Sequence, residues 1–442
     1  MQTLAQTWQV LSAFFIQDQG IVPYLLMFVP FVLFLELPLY VISWFGVFRY
    51  TARISYDTPF APPYTPKVTC AITCYAEGQA VQNTVISLLE QTYSGHIEII
   101  AMVDGVQKNQ ATYQALKELV PHIGRYSQRS LIIIPKIQRG GRVSSLNAGL
   151  SRSTGEIFLA LDGDTSFDNQ MVHRASAHFR NANVVAVTGP MRVRNASASI
   201  VTRLQSLEYM LSMQAGKLGL TEINVINNVP GAFGIFRKSF LQQIGGWNTG
   251  TAEDLDLTLR IKQYQGRHPQ LRFEFEPGAV SHTDVPDKLI DFLKQRLRWD
   301  GDLLYIYANK HRLGISASIM GWNNFIFIMW YGILFQIVMP FTIVLYMIYM
   351  IVVLPMPFFL ASMTLVYLFY FCLTLIQFLL YLAVISDRPR KDSSAFLIIP
   401  IYPLFQFAVR LWSALAISNQ ILNKGHLDSA MAPFWVLKKG KQ

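Results

Sequence analysis

Asp162 and Asp164 stand one residue apart at the end of the hydrophobic run Leu159-Ala160-Leu161, with Gly163 between them. Hard divalent cations take oxygen ligands, and Mg²⁺ is usually held by one or two carboxylates together with substrate phosphates. The glycine lets a ligand come close to the backbone. Two earlier apolar runs also end in acids, Glu77 and Asp104, so the Asp-Gly-Asp reads as a metal–nucleotide site rather than as a surface turn. A second acid group, Glu253-Asp254-Leu255-Asp256, precedes a helix-like stretch from Leu257 to Tyr264. Such acids either complement the positive end of a helix dipole or include a general base that takes a hydroxyl proton; the spacing leaves both open. A third group is Gln295-Arg296-Leu297-Arg298-Trp299. Arg298 offers a planar fork of donors to phosphate oxygens, Gln295 lies three residues earlier on the same helical face, and Trp299 can stack on a sugar ring. The same residues suit an interfacial helix with Arg and Trp at headgroup level. Finally, Gly140-Gly141-Arg142 suggests a glycine turn opening a helix whose N-terminus and Arg142 face an anion.

The elements that must position these groups follow from periodicity. Short buried strands are predicted at Val68 to Tyr75, Ile97 to Asp104, Leu131 to Lys136, Glu156 to Asp162 and Val184 to Gly189, and Val81, Val85, Leu88 and Leu89 recur at helical spacing between the first two. That alternation gives an α/β fold with a mostly parallel sheet covered by helices. In such sheets ligands bind at the carboxyl ends of the strands, where Glu77, Asp104, Asp162 and Asp164 fall.

The rest of the chain is too apolar for a purely soluble protein: 52% of its 442 residues are hydrophobic, 14% are charged, and the mean hydropathy is +0.30. Ile21 to Val47 contains only one charge, Glu36, and is long enough to span a bilayer, which makes residues 21–48 the first transmembrane helix. Arg49, Arg53 and Lys67 follow it, whereas residues 1–20 carry no Lys or Arg. The positive-inside rule therefore puts an extracytoplasmic N-terminus at 1–20 and a cytoplasmic domain at 67–285, beyond the Pro59, Pro62, Pro63 and Pro66 link.

Residues 286–322 are expected as interfacial helices carrying the pentapeptide. The apolar block beyond them breaks at Leu354-Pro355-Met356-Pro357 into spans at 323–354 and 357–386, a transmembrane hairpin. The segment 395–421 contains Pro400, Pro403 and Arg410, and a simple span there would export the lysine-bearing tail at 422–442. A re-entrant or broken helix is the alternative. A net charge of +10 fits juxtamembrane cations better than nucleic acid, since no basic run is interleaved with aromatics. Cys70, Cys74 and Cys372 read as buried thiols without a disulfide framework.

In order and spacing, these elements resemble the membrane-integrated, processive family 2 glycosyltransferases, the synthases of cellulose, chitin, hyaluronan and poly-N-acetylglucosamine. Ile72-Thr73-Cys74-Tyr75-Ala76-Glu77 looks like their first nucleotide motif, Val103-Asp104-Gly105 their second, Asp162-Gly163-Asp164 their metal motif, Glu253-Asp254 their base motif and Gln295 to Trp299 their signature pentapeptide. The resemblance implies a GT-A fold, a UDP-sugar donor, Mg²⁺ or Mn²⁺ at Asp162 and Asp164, and a growing polysaccharide beside the lipid bilayer of a plasma (bacterial inner) membrane. It places Tyr75, Glu77 and Asp104 at the uridine, Arg142 and Asp162 at the donor, and Asp254 as base. Gln295 and Arg298 fall at the leaving pyrophosphate and Trp299 at the acceptor sugar.

Three positions depart from the family pattern: Ala252 where threonine is frequent, Arg142 in place of lysine, and Asp300-Gly301-Asp302 after the tryptophan. Trp322, Trp330, Tyr331 and Trp412 are available to line a sugar track. The short length and the lack of an appended cyclic-dinucleotide module favour the poly-N-acetylglucosamine branch, with UDP-GlcNAc as donor. A small accessory membrane subunit is a further partner class on which the sequence is silent.

Overall fold

The computed structural model describes residues 2–16, 32–56, 64–248 and 251–424. Ten strands form: β1 Val68–Cys74, β2 Ile97–Val103, β3 Arg129–Pro135, β4 Ile157–Asp162, β5 Ser166–Phe167, β6 Val184–Thr188, β7 Met191–Val193, β8 Phe233–Arg237, β9 Arg272–Phe275 and β10 Ser281–Thr283. Seven make one sheet in the order β3-β2-β1-β4-β8-β6-β9, and β5-β10-β7 make a small second sheet. Strands β1, β2 and β4 are apolar along nearly their whole length because helices cover both faces. Cys70, Ile72, Ile99 and Val103 pack with Val81, Val85 and Leu88 on one side. On the other, Ala71, Met102, Phe158 and Ala160 pack with Leu146, Leu150 and Trp247.

The chain runs outward from β1 to β2 and β3, then returns to place β4 on the other side of β1. The strand order reverses at the β1–β4 crevice, where Thr73 pairs in register with Asp162. This topological switch point is where an open α/β sheet accepts its ligand. The sheet is less parallel than periodicity implied: β8 runs antiparallel to both β4 and β6. Strands β8 and β9 are short and lack a long apolar run, which hid them.

Among the described residues two helices, Trp322–Val353 and Met356–Val384, are long and apolar enough to cross a membrane. The last apolar segment is a bent pair, Pro389–Ile398 and Tyr402–Asn423, meeting at 71°. Of the first expected span, residues 21–31 lie outside the described part, as do 17–20, the linker prolines Pro59, Pro62 and Pro63, and the tail from 425. The remainder continues as the Leu37–Tyr56 helix. It lies so close to the Lys217–Glu222 helix that a Cβ on Gly46 or Gly219 would overlap the opposite backbone. Arg53 seals the junction with a 2.9 Å bond to Glu222. Residues Gln2–Ile16, expected only as a flank, form a helix against Met356–Val384. Cys70 and Cys74 are buried thiols as expected, whereas Cys372 is exposed on its apolar helix.

Candidate active site

The chain turns back on itself just past β1. Ala76 and Gly78 adopt left-handed conformations, with φ of 71° and 57°, and this folds Glu77 under the Asp-Gly-Asp turn. A Cβ on Gly163 would come 3.0 Å from Glu77 Cδ and 3.1 Å from Thr73 O, so any larger residue there would press on both. Glu77 Oε1 accepts the Tyr75 backbone N–H at 2.8 Å, while its Oε2 is buried without a partner. Burial pushes the Glu77 carboxyl up, and the charge of Asp164 adds to the effect. The Tyr75 ring stays exposed with the Arg139 guanidinium 4.2 Å from its centroid, a flat platform for a base.

Asp104 takes the place expected for a bound anion. Its carboxylate accepts the backbone N–H groups of Gly140 and Gly141 at 2.9 and 2.8 Å and the Lys136 ammonium at 2.6 Å. The N-terminus of the Gly141–Arg152 helix is thus satisfied by the protein's own acid, which corrects the expectation of a ligand there. Arg142 lines the site cavity and directs most of its guanidinium at protein groups. It pairs with Asp162, bonds Thr73 Oγ1 at 2.9 Å and Gly231 O at 2.5 Å, and approaches Glu253 Oε1 at 2.7 Å. The planar fork crosslinks β1, β4 and the base motif, a geometry a lysine ammonium cannot reproduce. Burial pushes the Glu253 carboxyl up, against the opposing charge of Arg142.

Asp162 and Asp164 offer a divalent cation two carboxylates, which is a partial ligand set. Among the described residues no group of three or more His, Cys, Asp or Glu could hold a metal alone, so donor phosphates would complete the shell, as is usual for Mg²⁺. The unpartnered Glu77 Oε2 beside Gly163 adds negative potential to the same spot.

In the second acid group the structure separates a carboxylate held in ion pairs from one that faces the cavity. Despite its burial, a bond from His311 and the charges of Lys310 and Arg260 hold the Asp256 carboxyl down to about 2. Asp254 faces the cavity instead. Its Oδ1 accepts the Leu255 N–H at 2.7 Å, and its Oδ2 accepts Asn228 Nδ2 at 3.0 Å and the Gly231 N–H at 3.2 Å. Ala252, where the family favours threonine, is left-handed with φ 47°.

The pentapeptide lies on the Leu289–Leu304 helix. Gln295, Arg298 and Trp299 line the cavity, and Gln295 Oε1 is buried without a partner. Arg296 instead bonds Glu208 at 2.5 Å and lies over the Trp299 ring at 5.2 Å, which fixes the tryptophan. The two unusual acids that follow act as ties. Asp300 accepts Ser413 Oγ at 2.6 Å from the Tyr402–Asn423 helix, and Asp302 accepts Thr251 Oγ1 from the loop before Asp254. Burial pushes the Asp302 carboxyl up to about 7.

All of Tyr75, Glu77, Asp104, Arg142, Asp162, Asp164, Asp254, Gln295, Arg298 and Trp299 border one cavity of about 1680 Å³, which continues between the apolar helices. Of the four aromatics expected along a sugar track, only Tyr331 borders it. Trp412 donates to Leu293 O at 2.9 Å, and Trp322 faces outward, 68% exposed. The aromatic lining comes from Tyr40, Trp44, Tyr346, Tyr370, Tyr402 and Phe407. Sequence reasoning also missed Lys217 and Thr251, and it gave no sign that Asn228 would bond Asp254. The one available signal was a lysine in an apolar stretch followed by the Asn227-Asn228 pair.

Comparison with known proteins agrees with this geometry. The model of "Glycosyl transferase family group 2" matches residues 157–384, just over half of the chain. Poly-beta-1,6-N-acetyl-D-glucosamine synthase of Staphylococcus aureus (strain COL) is 28% identical over 260 residues, 57% of this chain and 59% of that protein. The Staphylococcus epidermidis protein of the same name is 29% identical over 230 residues, 52% of each. The chain thus spans less than two thirds of these curated relatives. Among solved structures, the mannosyltransferase PcManGT from Pyrobaculum calidifontis, in complex with GDP-Man and Mn²⁺, superposes with a TM-score of 0.50 at 15% identity. That match covers 88% of this chain and 98% of the other, and it shows a shared GT-A-like fold. With the switch-point acids, the pentapeptide helix and the family match in agreement, the chain belongs to the family 2 glycosyltransferases.

Proposed function

We propose that this protein is a processive, inverting glycosyltransferase that polymerises UDP-N-acetylglucosamine into a β-linked polysaccharide and passes the product through the membrane. The observation that carries this reading is the single cavity, which runs from the switch-point acids past Trp299 and on between the apolar helices. The name of the staphylococcal relatives, poly-beta-1,6-N-acetyl-D-glucosamine synthase, supports the choice of donor. The catalytic domain is read as cytoplasmic, with several spans in the plasma membrane, because cations flank the apolar helices on that side.

In the proposed reaction the terminal hydroxyl of the glycan attacks the anomeric carbon of an α-linked donor as the bond to the UDP oxygen breaks. Asp254 Oδ1 or Oδ2 takes the hydroxyl proton, held in direction by Asn228, Gly231 and Leu255. Arg298 and Gln295 receive the departing diphosphate, and Trp299 seats the acceptor sugar. Asp162 and Asp164 would hold Mg²⁺ or Mn²⁺, which would supply neutralisation of the diphosphate charge. Tyr75 supports the uracil ring.

The test is polymer formation from UDP-GlcNAc and UDP-glucose in proteoliposomes, with product length, linkage and sidedness measured, and with and without host membranes to supply any small accessory subunit. A β-linked polymer on the side opposite the donor, abolished by Asp254→Asn, is expected. One sugar transferred to a polyprenyl phosphate, or full activity in Asp254→Asn, would overturn the reading.

A further inference from the structure

Lys217 is 1% exposed and lies behind the candidate base rather than in front of it. Its ammonium donates to Asn228 O at 2.5 Å, Asn228 Oδ1 at 2.8 Å and Asn227 Oδ1 at 3.2 Å. An ammonium has three N–H donors and no acceptor, so these bonds use its full capacity. Among the described residues, these bonds go to amide and carbonyl oxygens, and none goes to a carboxylate. Burying such a cation is costly, and a methionine would fill the same space more cheaply. Burial pushes the Lys217 ammonium down to about 7, with the charge of Asp254 acting the other way and Lys262, itself buried, as the other charged neighbour. The three groups bonded to the nitrogen are all oxygens, which suits the charged form that only donates. The cost is informative because of what the lysine fixes. Asn228 has one acceptor and one donor end, and a group that only donates compels Oδ1 to face it. The Nδ2 end must then point the opposite way, where it meets Asp254 Oδ2 at 3.0 Å.

We infer that Lys217 is a positioning residue for the glycosyl-transfer base: through Asn228 it fixes the orientation of the Asp254 carboxylate and so the lone pair left for the acceptor hydroxyl. This rests on the function proposed above. Without the ammonium, the oxygen end of the Asn228 amide loses its anchor, and the side chain can rotate away and take its Nδ2 bond to Asp254 with it. Asp254 then rotates away from the reacting hydroxyl. Donor binding is untouched, because the nucleotide groups at Tyr75, Asp104 and Asp162 lie on other elements.

The experiment uses the full-length protein in nanodiscs and compares Lys217→Met, Lys217→Arg, Asn228→Leu and the Lys217→Met/Asn228→Leu double variant. Steady-state transfer from UDP-GlcNAc, UDP affinity by calorimetry and thermal unfolding are measured for each. Lys217→Met should lower kcat about 10- to 100-fold, the scale of a misplaced catalytic group, with donor KM and UDP affinity within about twofold. Lys217→Arg should recover part of kcat, and the double variant should be no worse than the poorer single one. An unchanged kcat in Lys217→Met, additive losses in the double variant, or a loss of UDP affinity parallel to the loss of kcat would each overturn the inference. Should Asp254→Asn keep full activity, the parent reading fails. Should Asp254→Asn be dead and Lys217→Met normal, only the positioning role fails.

Discussion

Thr251 donates its hydroxyl to the buried carboxylate of Asp302, tying the loop that leads to Asp254 to the helix that carries Gln295, Arg298 and Trp299. The candidate base and the diphosphate-facing cation are therefore not independently mobile. Asp302 is one of the two acids that replace the small residues usual after the pentapeptide, so the departure from the family pattern coincides with a structural tie.

That tie is pH-sensitive. In the folded protein Asp302 titrates near 7, above its ordinary 3.8, so the folded state binds more protons than the unfolded one across that interval. Stability from this group is present below about 4 and is lost as pH rises through 7, by up to about 4 kcal/mol. Asp302→Asn keeps an acceptor for Thr251 and removes the charge. Thermal unfolding at pH 5 and pH 8 should show the variant gaining on wild type at the higher pH. Equal pH slopes for the two proteins would refute this.

Arg142 is expected to be worth more to stability than to donor charge, since its donors meet protein groups. Removing it in Arg142→Met leaves Glu253 buried without its cation, at a cost of about 3–5 kcal/mol. Arg142→Lys should lose less, because charge is kept while the fork is not. Chemical denaturation of the three proteins in one detergent ranks them, and a lysine variant as stable as wild type contradicts the crosslink.

Asp164→Asn should weaken Mn²⁺-dependent UDP binding at least about tenfold, given that outer partners of a metal site alone cost that much. Glu77→Gln should do so more mildly, since it removes only potential. Calorimetry of UDP with Mn²⁺, repeated after chelation, reads both effects. Chelator-insensitive UDP binding in the wild type would refute the assignment.

How far this was legible in the residues varies with the physics involved. Strands β1 to β4 were readable because each is a dense apolar run between turn signals, and the acids at the ends of β1, β2 and β4 follow from them. The seats of Asp104 and Arg142 were not, because a helix N-terminus invites an anion without saying whose. Only the fold brings Gly140 and Gly141 to Asp104. Lys217, Asn228 and Asp254 are separated in sequence and meet only through packing. The aromatics along the cavity were misjudged because tryptophans on an apolar helix give no sign of which face meets lipid.

Trp299→Ala should shorten the polymer without changing UDP affinity, as the ring borders the cavity and is braced by Arg296 rather than by any nucleotide group. Chromatography of the product against UDP calorimetry separates these. A parallel loss of nucleotide binding would put Trp299 in the donor site.

The glycine contact between the Leu37–Tyr56 helix and the Lys217–Glu222 helix has a mechanical meaning. The Leu37–Tyr56 helix, read above as the end of a first span, meets with no side chain as cushion the helix whose Lys217 bonds Asn228, the partner of Asp254. On that reading a tilt that fits the helix to its bilayer reaches the neighbours of Asp254. Short-chain and long-chain vesicles should then yield different turnover from the same donor concentration, and equal turnover in both would make the contact a static brace.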